Sequence, residues 1–352
     1  MDRLAIVYHE GLSAYDLGRG HPFRGSRFPR FMNLVRKEGL AAHPDVDISV
    51  PVKVTDEDLL LAHSEGYLQE VEHRAELFMP LTPDTPLSPA IAGACRLIVG
   101  GSLRAAELVA KREVRFAEGV GGGQHHAGRD YGGGFCIFND VAVCARSLLE
   151  RHGLERVLIL DSDVHAGNGT MDVFYEEPRV LFISVHQDPR TLYPGTGFIE
   201  QVGEGPGDGY TVNVPLPVGA GDECMRTALE RVFRPLAREF RPQAIIRNGG
   251  SDPHFMDGLG ELDLSFQGLR SIGESVAGAA GECGCGVVDL CCSGYNPSTV
   301  AEGWLSILSG LTGFDYRPAD PRPAPVESAW VIEETESVVE AVVSRLGEYW
   351  SL

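Results

Sequence analysis

The chain has 352 residues, of which 23% are charged and 43% hydrophobic, which are ordinary proportions for a globular protein with a sizeable core, and its formal net charge is -20. The negative charge argues against direct binding of nucleic acid, because phosphates would be repelled. It fits either a surface adapted for solubility or the attraction of cationic substrates such as polyamines and basic protein tails. No signal-peptide pattern and no apolar run of transmembrane length is present, so we expect a cytoplasmic protein without a membrane partner, its eight cysteines reduced.

Short apolar runs alternate with helical patterns along the chain. In chain order they predict a strand at 4–8, a helix at 138–151, strands at 156–160 and 180–185, a helix at 222–239, a strand at 244–246, a helix at 265–280, a strand at 287–290, and helices at 296–311 and 326–349. Unbroken apolar runs are typical of parallel strands that are buried on both faces. The alternation predicts an α/β fold with a central parallel sheet and right-handed crossovers, built as one domain over 1–352.

Polar clusters follow four of these strands, at Asp161, His186, Arg247 and Ser293. In parallel α/β sheets, ligands bind beyond the carboxyl ends of the strands. Residues that are remote in sequence are therefore expected to meet at this edge of the sheet.

Two adjacent histidines, His125 and His126, follow three glycines before the first of these clusters. They place two imidazoles on a sharply bent backbone. Together with a metal ion, such a pair is suited to moving the protons of an activated water, which is hydrolytic chemistry.

Asp163 and His165 stand two residues apart after the strand at 156–160. In extended backbone, residues at this spacing project from the same face, so both could reach one ion. Asp252, which follows two glycines at another strand end, is the best candidate for a third ligand. Two carboxylates and one imidazole suit Zn²⁺ or Fe²⁺, and three protein ligands leave a position open for water and substrate.

Six separated motifs resemble those of the histone deacetylase family, in the family's order and across about residues 5–310. They are His125-His126-Ala127, the run from Gly134 to Asp140, the run from Asp161 to Thr170, the run from Tyr193 to Gly197, Asp252-Pro253-His254 with Asp257-x-Leu259-Gly260, and Gly294-Tyr295-Asn296. The resemblance implies the arginase/deacetylase fold, with a parallel sheet of about eight strands flanked by helices. It also implies Zn²⁺-dependent hydrolysis of N-acyl amides.

The resemblance assigns a role to each motif. It implies that the metal ligands are Asp163, His165 and Asp252, and that Tyr295 polarises the scissile carbonyl. It implies His125 and His126 as catalytic histidines, with Asp161 and Asn168 as their respective partners. It also implies a structural K⁺ near the loop 161–165 and Ser184. Because Asn168 is neutral, we interpret His126 as the general base and His125 as a cation that stabilises charge.

The residues expected to contact the substrate are Gly134, Phe135, Tyr193 and Asp84. The resemblance places Phe135 in the wall of a narrow acyl-lysine tunnel, and Tyr193 is a further candidate; for both, core packing is the alternative. Asp84 lies either at an acidic rim or in a plain turn. For Arg27, the alternatives are an inner acetate-release pocket and a structural ion pair.

Three positions depart from the family pattern. Ala166 stands where a second histidine is common, Ser293 stands where a glycine is common, and Gly123-Gln124 replaces Pro-Gly. These departures favour a prokaryotic relative of the acetoin-utilisation or acetylpolyamine amidohydrolase kind. Gly167 occupies the place of the last aspartate of the two-metal ureohydrolases, which favours one metal.

The predicted function is a zinc-dependent deacetylase of N-acylated amines, with acetyl-lysine in proteins or peptides as the first substrate. Acetylpolyamines or other small acylated amines are the second. A catalytically silent protein that binds acyl-lysine and a two-metal ureohydrolase are the rival classes. A homo-oligomer is compatible with the sequence, which does not determine the oligomeric state.

Overall fold

One parallel sheet of eight strands forms the centre of the computed structural model, which describes residues 2–351. The strands are β1 (Leu4–Val7), β2 (Val46–Ser49), β3 (Phe116–Val120), β4 (Val157–Asp161), β5 (Val180–Gln187), β6 (Thr211–Leu216), β7 (Ala244–Gly249) and β8 (Gly286–Cys291). Their order across the sheet is β2-β1-β3-β8-β7-β4-β5-β6. The prediction of an α/β fold with about eight parallel strands is confirmed.

Helices flank the sheet. They are α1 (Arg27–Lys37), α2 (Asp56–Leu59), α3 (Glu65–Glu76), α4 (Pro89–Ala110), α5 (Asp140–Glu150), α6 (Asn168–Phe174), α7 (Asp222–Ala228), α8 (Arg234–Phe240), α9 (Phe266–Cys283), α10 (Val300–Thr312) and α11 (Ala329–Leu346). Within residues 2–351, none of these helices combines the length and the apolar composition needed to cross a membrane.

Several predicted elements differ from the structure at their ends. The helix predicted at 222–239 is one continuous element in which a π-helical turn, Leu229–Phe233, joins α7 to α8. The helix predicted at 296–311 begins only at Val300, because the backbone amides of Tyr295 and Asn296 donate to the carboxylate of Asp257 and hold this segment in a turn. The strands β2, β3 and β6 and the helices α1 to α4 and α6 were not predicted from the pattern.

The connectivity of the sheet brings four strand ends together. Strands β7 and β8 come last in the chain, yet they lie between β4 and β3. In the register of the sheet, Asn248 pairs with both Asp161 and Leu290, and Leu290 pairs with Gly119. The segments that follow β3, β8, β7 and β4 therefore leave the sheet side by side, and they carry the predicted site residues.

Three ionisable side chains occupy the buried centre of the sheet. Arg247, Asp289 and Glu118 are neighbours in register across β7, β8 and β3, and the guanidinium of Arg247 donates to the carboxylate of Asp289. Burial and then the charge of Asp289 raise the pKa of Glu118 well above its usual range, which favours the neutral form of this carboxyl group. The prediction that Arg247 belongs to the polar cluster beyond its strand is wrong, because it lies within β7 and is 1% exposed.

Replacing Arg247 with methionine is expected to lower the free energy of unfolding by about 3–5 kcal/mol, because the carboxylate of Asp289 would remain buried without its cation. Chemical denaturation would measure the loss. The double variant Arg247→Met/Asp289→Leu removes both charges and should recover most of the stability. A single variant as stable as the parent protein would contradict a structural role for this ion pair.

Candidate active site and metal centre

Three side chains from two neighbouring strand ends form a group that could hold a metal ion. Asp163 and His165 follow β4 and Asp252 follows β7, and one potential ligand atom from each lies within 4.8 Å of the others. His165 Nδ1 is 3.1 Å from Asp163 Oδ1 and 3.5 Å from Asp252 Oδ2. The structure thus brings together all three residues that the sequence nominated as ligands.

The backbone between Asp161 and His165 is bent, whereas the sequence analysis predicted an extended segment. Asp163 Oδ1 accepts the backbone N–H of its own neighbour His165 at 2.9 Å, which curls the loop around the carboxylate. Gly249 permits the close approach of the next strand, because it has a φ of +124° and a Cβ there would lie 2.7 Å from the amide nitrogen of Asp163. Local hydrogen bonding, rather than strand periodicity, places the two side chains together.

The donor set fits a divalent cation. Asp252 Oδ2 is buried and accepts no hydrogen bond within residues 2–351, and His165 Nδ1 is 3.5 Å away, although a buried carboxylate oxygen without a hydrogen bond is costly. Burial, and next the negative charge of Asp163, raise the pKa of Asp252 to about 7. A cation held by these two carboxylates and His165 would satisfy the free oxygen and offset the repulsion between the carboxylates.

The paired histidines each contact the partner that was expected from the sequence. His125 Nδ1 lies 2.7 Å from Asp161 Oδ2, and His126 Nδ1 lies 2.7 Å from Asn168 Oδ1. Their Nε2 atoms are 3.1 Å apart, and both rings are nearly inaccessible from outside. The two imidazoles therefore form a short chain of polar contacts that runs beside the candidate metal ligands.

Their partners give the two histidines different charges. Burial disfavours the charged form of His125, but the carboxylates of Asp161 and Asp163 outweigh it and raise its pKa to about 9. Burial, and then the charge of His125, lower the pKa of His126 well below its usual range. These shifts favour the charged form of His125 and the neutral form of His126.

Asn168 fixes the tautomer of His126. Its Nδ2 donates to the hydroxyl of Tyr131 at 3.2 Å, so its Oδ1 faces the ring and accepts a hydrogen bond from the protonated Nδ1 of His126. His126 Nε2 is then left unprotonated, as a general base requires. Nothing in the sequence pointed to Tyr131, which stands in a glycine-rich loop without a motif of its own.

The loop after β8 supplies Tyr295, which lines the same pocket. Asp257 anchors this loop, because its Oδ2 accepts the backbone N–H groups of Tyr295 and Asn296 at 2.6 and 3.1 Å. Burial raises the pKa of the Tyr295 hydroxyl well above its usual range, so the group remains a hydrogen-bond donor. The sequence included Asp257 in a motif but did not reveal this positioning role.

A cavity of about 280 Å³ leads to these groups. Its lining combines aromatic and aliphatic side chains with the polar groups already described. The lining includes Phe23, Phe135, Leu192, Tyr193, Leu259, Asp163, His165, His125, His126 and Tyr295. Such a cavity is suited to an apolar stem that ends in a polar group.

Gly134 and Phe135 form one wall, and both have positive φ angles, of 54° and 69°. A Cβ on Gly134 would lie 2.6 Å from Cδ2 of His126, so a larger residue would displace that ring. Phe135 is held in its left-handed conformation from both sides, because its N–H donates to Thr85 Oγ1 and its carbonyl accepts from the hydroxyl of Tyr15. Phe135 lines the cavity and also packs against the core, so its two interpretations are compatible.

Asp84 and Tyr193 both belong to the lining of the cavity. The Tyr193 side chain is 48% exposed, which excludes plain core packing, and its ring centroid lies 4.9 Å from that of His126. Asp84 is exposed, and its Oδ1 accepts from the hydroxyls of Thr82 and Thr85. It therefore stabilises a turn and also borders the cavity.

Three further residues considered in the sequence have structural partners. Arg27 donates to the carbonyl of Gly294 at 2.8 Å and lies over the ring of Phe23, and it forms no ion pair within the described chain. The ion-pair interpretation of Arg27 is therefore wrong. His186 contacts Ser184 at 2.7 Å, and His254 contacts Asp320 at 2.9 Å.

Known proteins resemble the chain over nearly its whole length. The family described as the histone deacetylase domain matches residues 21–311. A probable deacetylase of Archaeoglobus fulgidus is 36% identical over 313 residues, covering 88% of this chain and 86% of that protein. The acetoin utilization protein AcuC of Bacillus subtilis is 32% identical over 321 residues, covering 88% and 82%. The crystal structure of the HDA15 HD domain matches with a TM-score of 0.87 at 27% identity, covering 99% of this chain and 96% of that chain, which confirms the predicted fold.

Proposed function

Because the chain belongs to the histone deacetylase family, we propose that it is a zinc-dependent hydrolase that removes acetyl groups from acetyl-lysine in peptides or proteins. The observation that carries this proposal is the lining of one cavity, in which two candidate metal ligands, the paired histidines and Tyr295 stand together. Amide hydrolysis requires these groups at one point, namely an activated water, a proton acceptor and a donor for the developing oxyanion.

Asp163, His165 and Asp252 would hold the metal ion. Their two carboxylates and one imidazole suit Zn²⁺ as well as Fe²⁺, and we propose Zn²⁺ because this set matches catalytic zinc sites with three protein ligands. When bound, zinc supplies Lewis-acid chemistry, since it acidifies water and polarises an amide carbonyl.

His126 acts first as general base and then as general acid in this proposal. Its unprotonated Nε2 accepts a proton from the attacking water and later delivers that proton to the leaving amine nitrogen. His125 remains a cation, because the carboxylate of Asp161 stabilises its charge. Attack of the water forms a carbon–oxygen bond, and the carbon–nitrogen bond of the amide then breaks. The products are acetate and the free amine.

Tyr295 stabilises the charge that develops on the carbonyl oxygen. Its hydroxyl has no hydrogen-bond partner among residues 2–351 that would compete for this role, and its raised pKa keeps the proton in place. The loop contacts of Asp257 hold the tyrosine in position before the substrate arrives, so little reorganisation is needed.

The variant Tyr295→Phe is therefore expected to lose about 10²–10³-fold in kcat, because one oxyanion donor is removed. Metal analysis of the same sample should find its zinc content unchanged. Loss of zinc from this variant would contradict the assignment, since the hydroxyl would then belong to the metal site.

The cavity lining suggests how a lysine side chain would be held. Phe135 and Tyr193 would flank its methylene chain, while Gly134 leaves room beside His126. Acetylpolyamines are the second candidate substrates, because the exposed carboxylate of Asp84 borders the cavity and could attract a distant ammonium group. The net charge of -20 would also attract both polyamines and basic protein tails.

Hydrolysis assays with acetyl-lysine peptides, longer acyl-lysine peptides and acetylpolyamines, each accompanied by metal analysis, test this proposal. We expect one equivalent of zinc and the highest kcat/KM on acetyl-lysine peptides. Higher kcat/KM on acetylpolyamines would transfer the assignment to the small-molecule class. Two equivalents of metal would overturn the one-metal site.

Two further parts of the proposal concern the surroundings of the site. The family resemblance implies a K⁺ ion near the loop 161–165, where Ser184 is buried and pairs in register with Asp161. A higher melting temperature in K⁺ than in an equal concentration of a larger organic cation would support it.

We also place the protein in the reducing cytoplasm, since its eight cysteines are all free.

A further inference from the structure

Ser293 lies directly behind one of the candidate metal ligands. Its hydroxyl donates to Asp252 Oδ1 at 2.6 Å, and the residue is 5% exposed. Ser293 is also one of the three positions at which the sequence departs from the family pattern. We propose that Ser293 is a positioning residue, which holds one oxygen of Asp252 so that the other is presented to the metal. This inference rests on the proposed zinc site.

The two oxygens of Asp252 face different neighbours. Oδ1 accepts the hydrogen bond from Ser293, whereas Oδ2 has no hydrogen-bond partner in residues 2–351 and lies 3.5 Å from His165 Nδ1. A carboxylate with two free oxygens can rotate or bind an ion through both of them. The serine hydroxyl removes this freedom and leaves a single oxygen as the ligand atom.

The backbone of Ser293 is itself fixed, so its side chain projects from a defined position. Its carbonyl accepts from Trp304 Nε1 at 2.6 Å and from the backbone N–H of Ser251 at 3.0 Å. Gly250 packs so closely that a Cβ there would lie 1.9 Å from this carbonyl oxygen. The side chain of Trp304 is buried, so this arrangement is anchored in the core and not in a loose loop.

Ser251 provides a matched control. It is also a buried serine, it adjoins Asp252 in sequence, and its hydroxyl has no partner within the described chain. The variant Ser251→Ala makes the same chemical change within the same strand-end cluster without removing a contact to Asp252. The variant Ser293→Thr keeps a hydroxyl at the position under test.

The experiment measures the zinc Kd of the full chain by competition with a chelator of known affinity. Melting temperatures of the chelator-treated proteins are measured alongside. We expect Ser293→Ala to bind zinc about 10–100-fold more weakly, as is typical when an outer partner of a ligand is lost. We expect Ser251→Ala to bind as the parent does and Ser293→Thr to recover most of the affinity. Chelator-treated Ser293→Ala is expected to melt somewhat below the parent, because Asp252 Oδ1 loses its buried partner. The loss of zinc affinity and its recovery in Ser293→Thr are therefore the results that identify a positioning role.

Other results would overturn the inference. Ser293→Ala with the zinc Kd of the parent protein would do so, particularly if its chelator-treated form melted at a lower temperature, because the hydroxyl would then be merely structural. An equal loss of affinity in Ser251→Ala would also count against it, since any change in this cluster would then suffice. If the parent chain binds no zinc, the proposed function and this inference both fail. If the parent binds zinc and Ser293→Ala binds it equally well, only the inference fails.

Discussion

Replacing His126 with alanine is expected to lower kcat by about 10²–10⁴-fold, because the reaction would lose the group that accepts and returns the proton. The expectation rests on a neutral ring, whose pKa burial and the charge of His125 lower, and on Asn168, which leaves Nε2 unprotonated. Steady-state kinetics with an acetyl-lysine peptide would measure the loss. Zinc content should stay at the level of the parent protein, because His126 is not among the candidate ligands.

Two comparisons make this expectation specific. His73 lies exposed on α3, and His73→Ala should leave kcat unchanged. His125→Ala should also slow the reaction, by removing the cation that Asp161 holds. If His126→Ala kept near-normal turnover while His125→Ala lost it, the proton-transfer roles of the two histidines would be exchanged.

The variant Asp252→Asn is expected to bind zinc more than about 100-fold more weakly than the parent protein. This loss exceeds the one that is typical when only a hydrogen-bond partner of a ligand is removed. The turnover of the variant should approach that of the uncatalysed background. The substitution keeps the shape of the side chain but removes the negative charge, and only Asp163 would then supply a carboxylate to the cation. Metal analysis after dialysis and chelator competition would measure the loss of affinity.

Asp84→Asn is the matched control, because Asp84 borders the same cavity but lies outside the candidate ligand group. It should retain zinc fully, and any change should appear in KM for cationic substrates. Undiminished zinc affinity in Asp252→Asn would show that the third ligand is a different residue.

Much of the site was predictable because strand ends are visible in the sequence. The apolar runs that stop at Asp161 and before Asp252 mark neighbouring strands, and parallel strands present their carboxyl ends at one edge. The pairs His125–Asp161 and His126–Asn168 followed from the family motifs, and the structure places both pairs at 2.7 Å. The predicted extended backbone at Asp163 was wrong, because a side chain that bonds its own backbone overrides strand periodicity there.

Other features depend on contacts between segments that lie far apart in the chain, and no local pattern encodes them. Arg247 was placed beyond its strand because an arginine normally ends an apolar run, and only the register with Asp289 shows how it is neutralised. Tyr131 orients Asn168 from a loop without a motif. Ser293 was noticed as a departure from the family, but its contact with Asp252 needed coordinates.

The late position of β7 and β8 in the chain has a consequence for biosynthesis. A nascent chain that ends before residue 244 contains the strands β1 to β6, but the strands that separate β3 from β4 have not yet been made. Such a fragment exposes the unpaired edges of β3 and β4, which other chains can join. It also lacks Asp252 and Tyr295, so the candidate active site can form only after β7 and β8 have been inserted between β3 and β4.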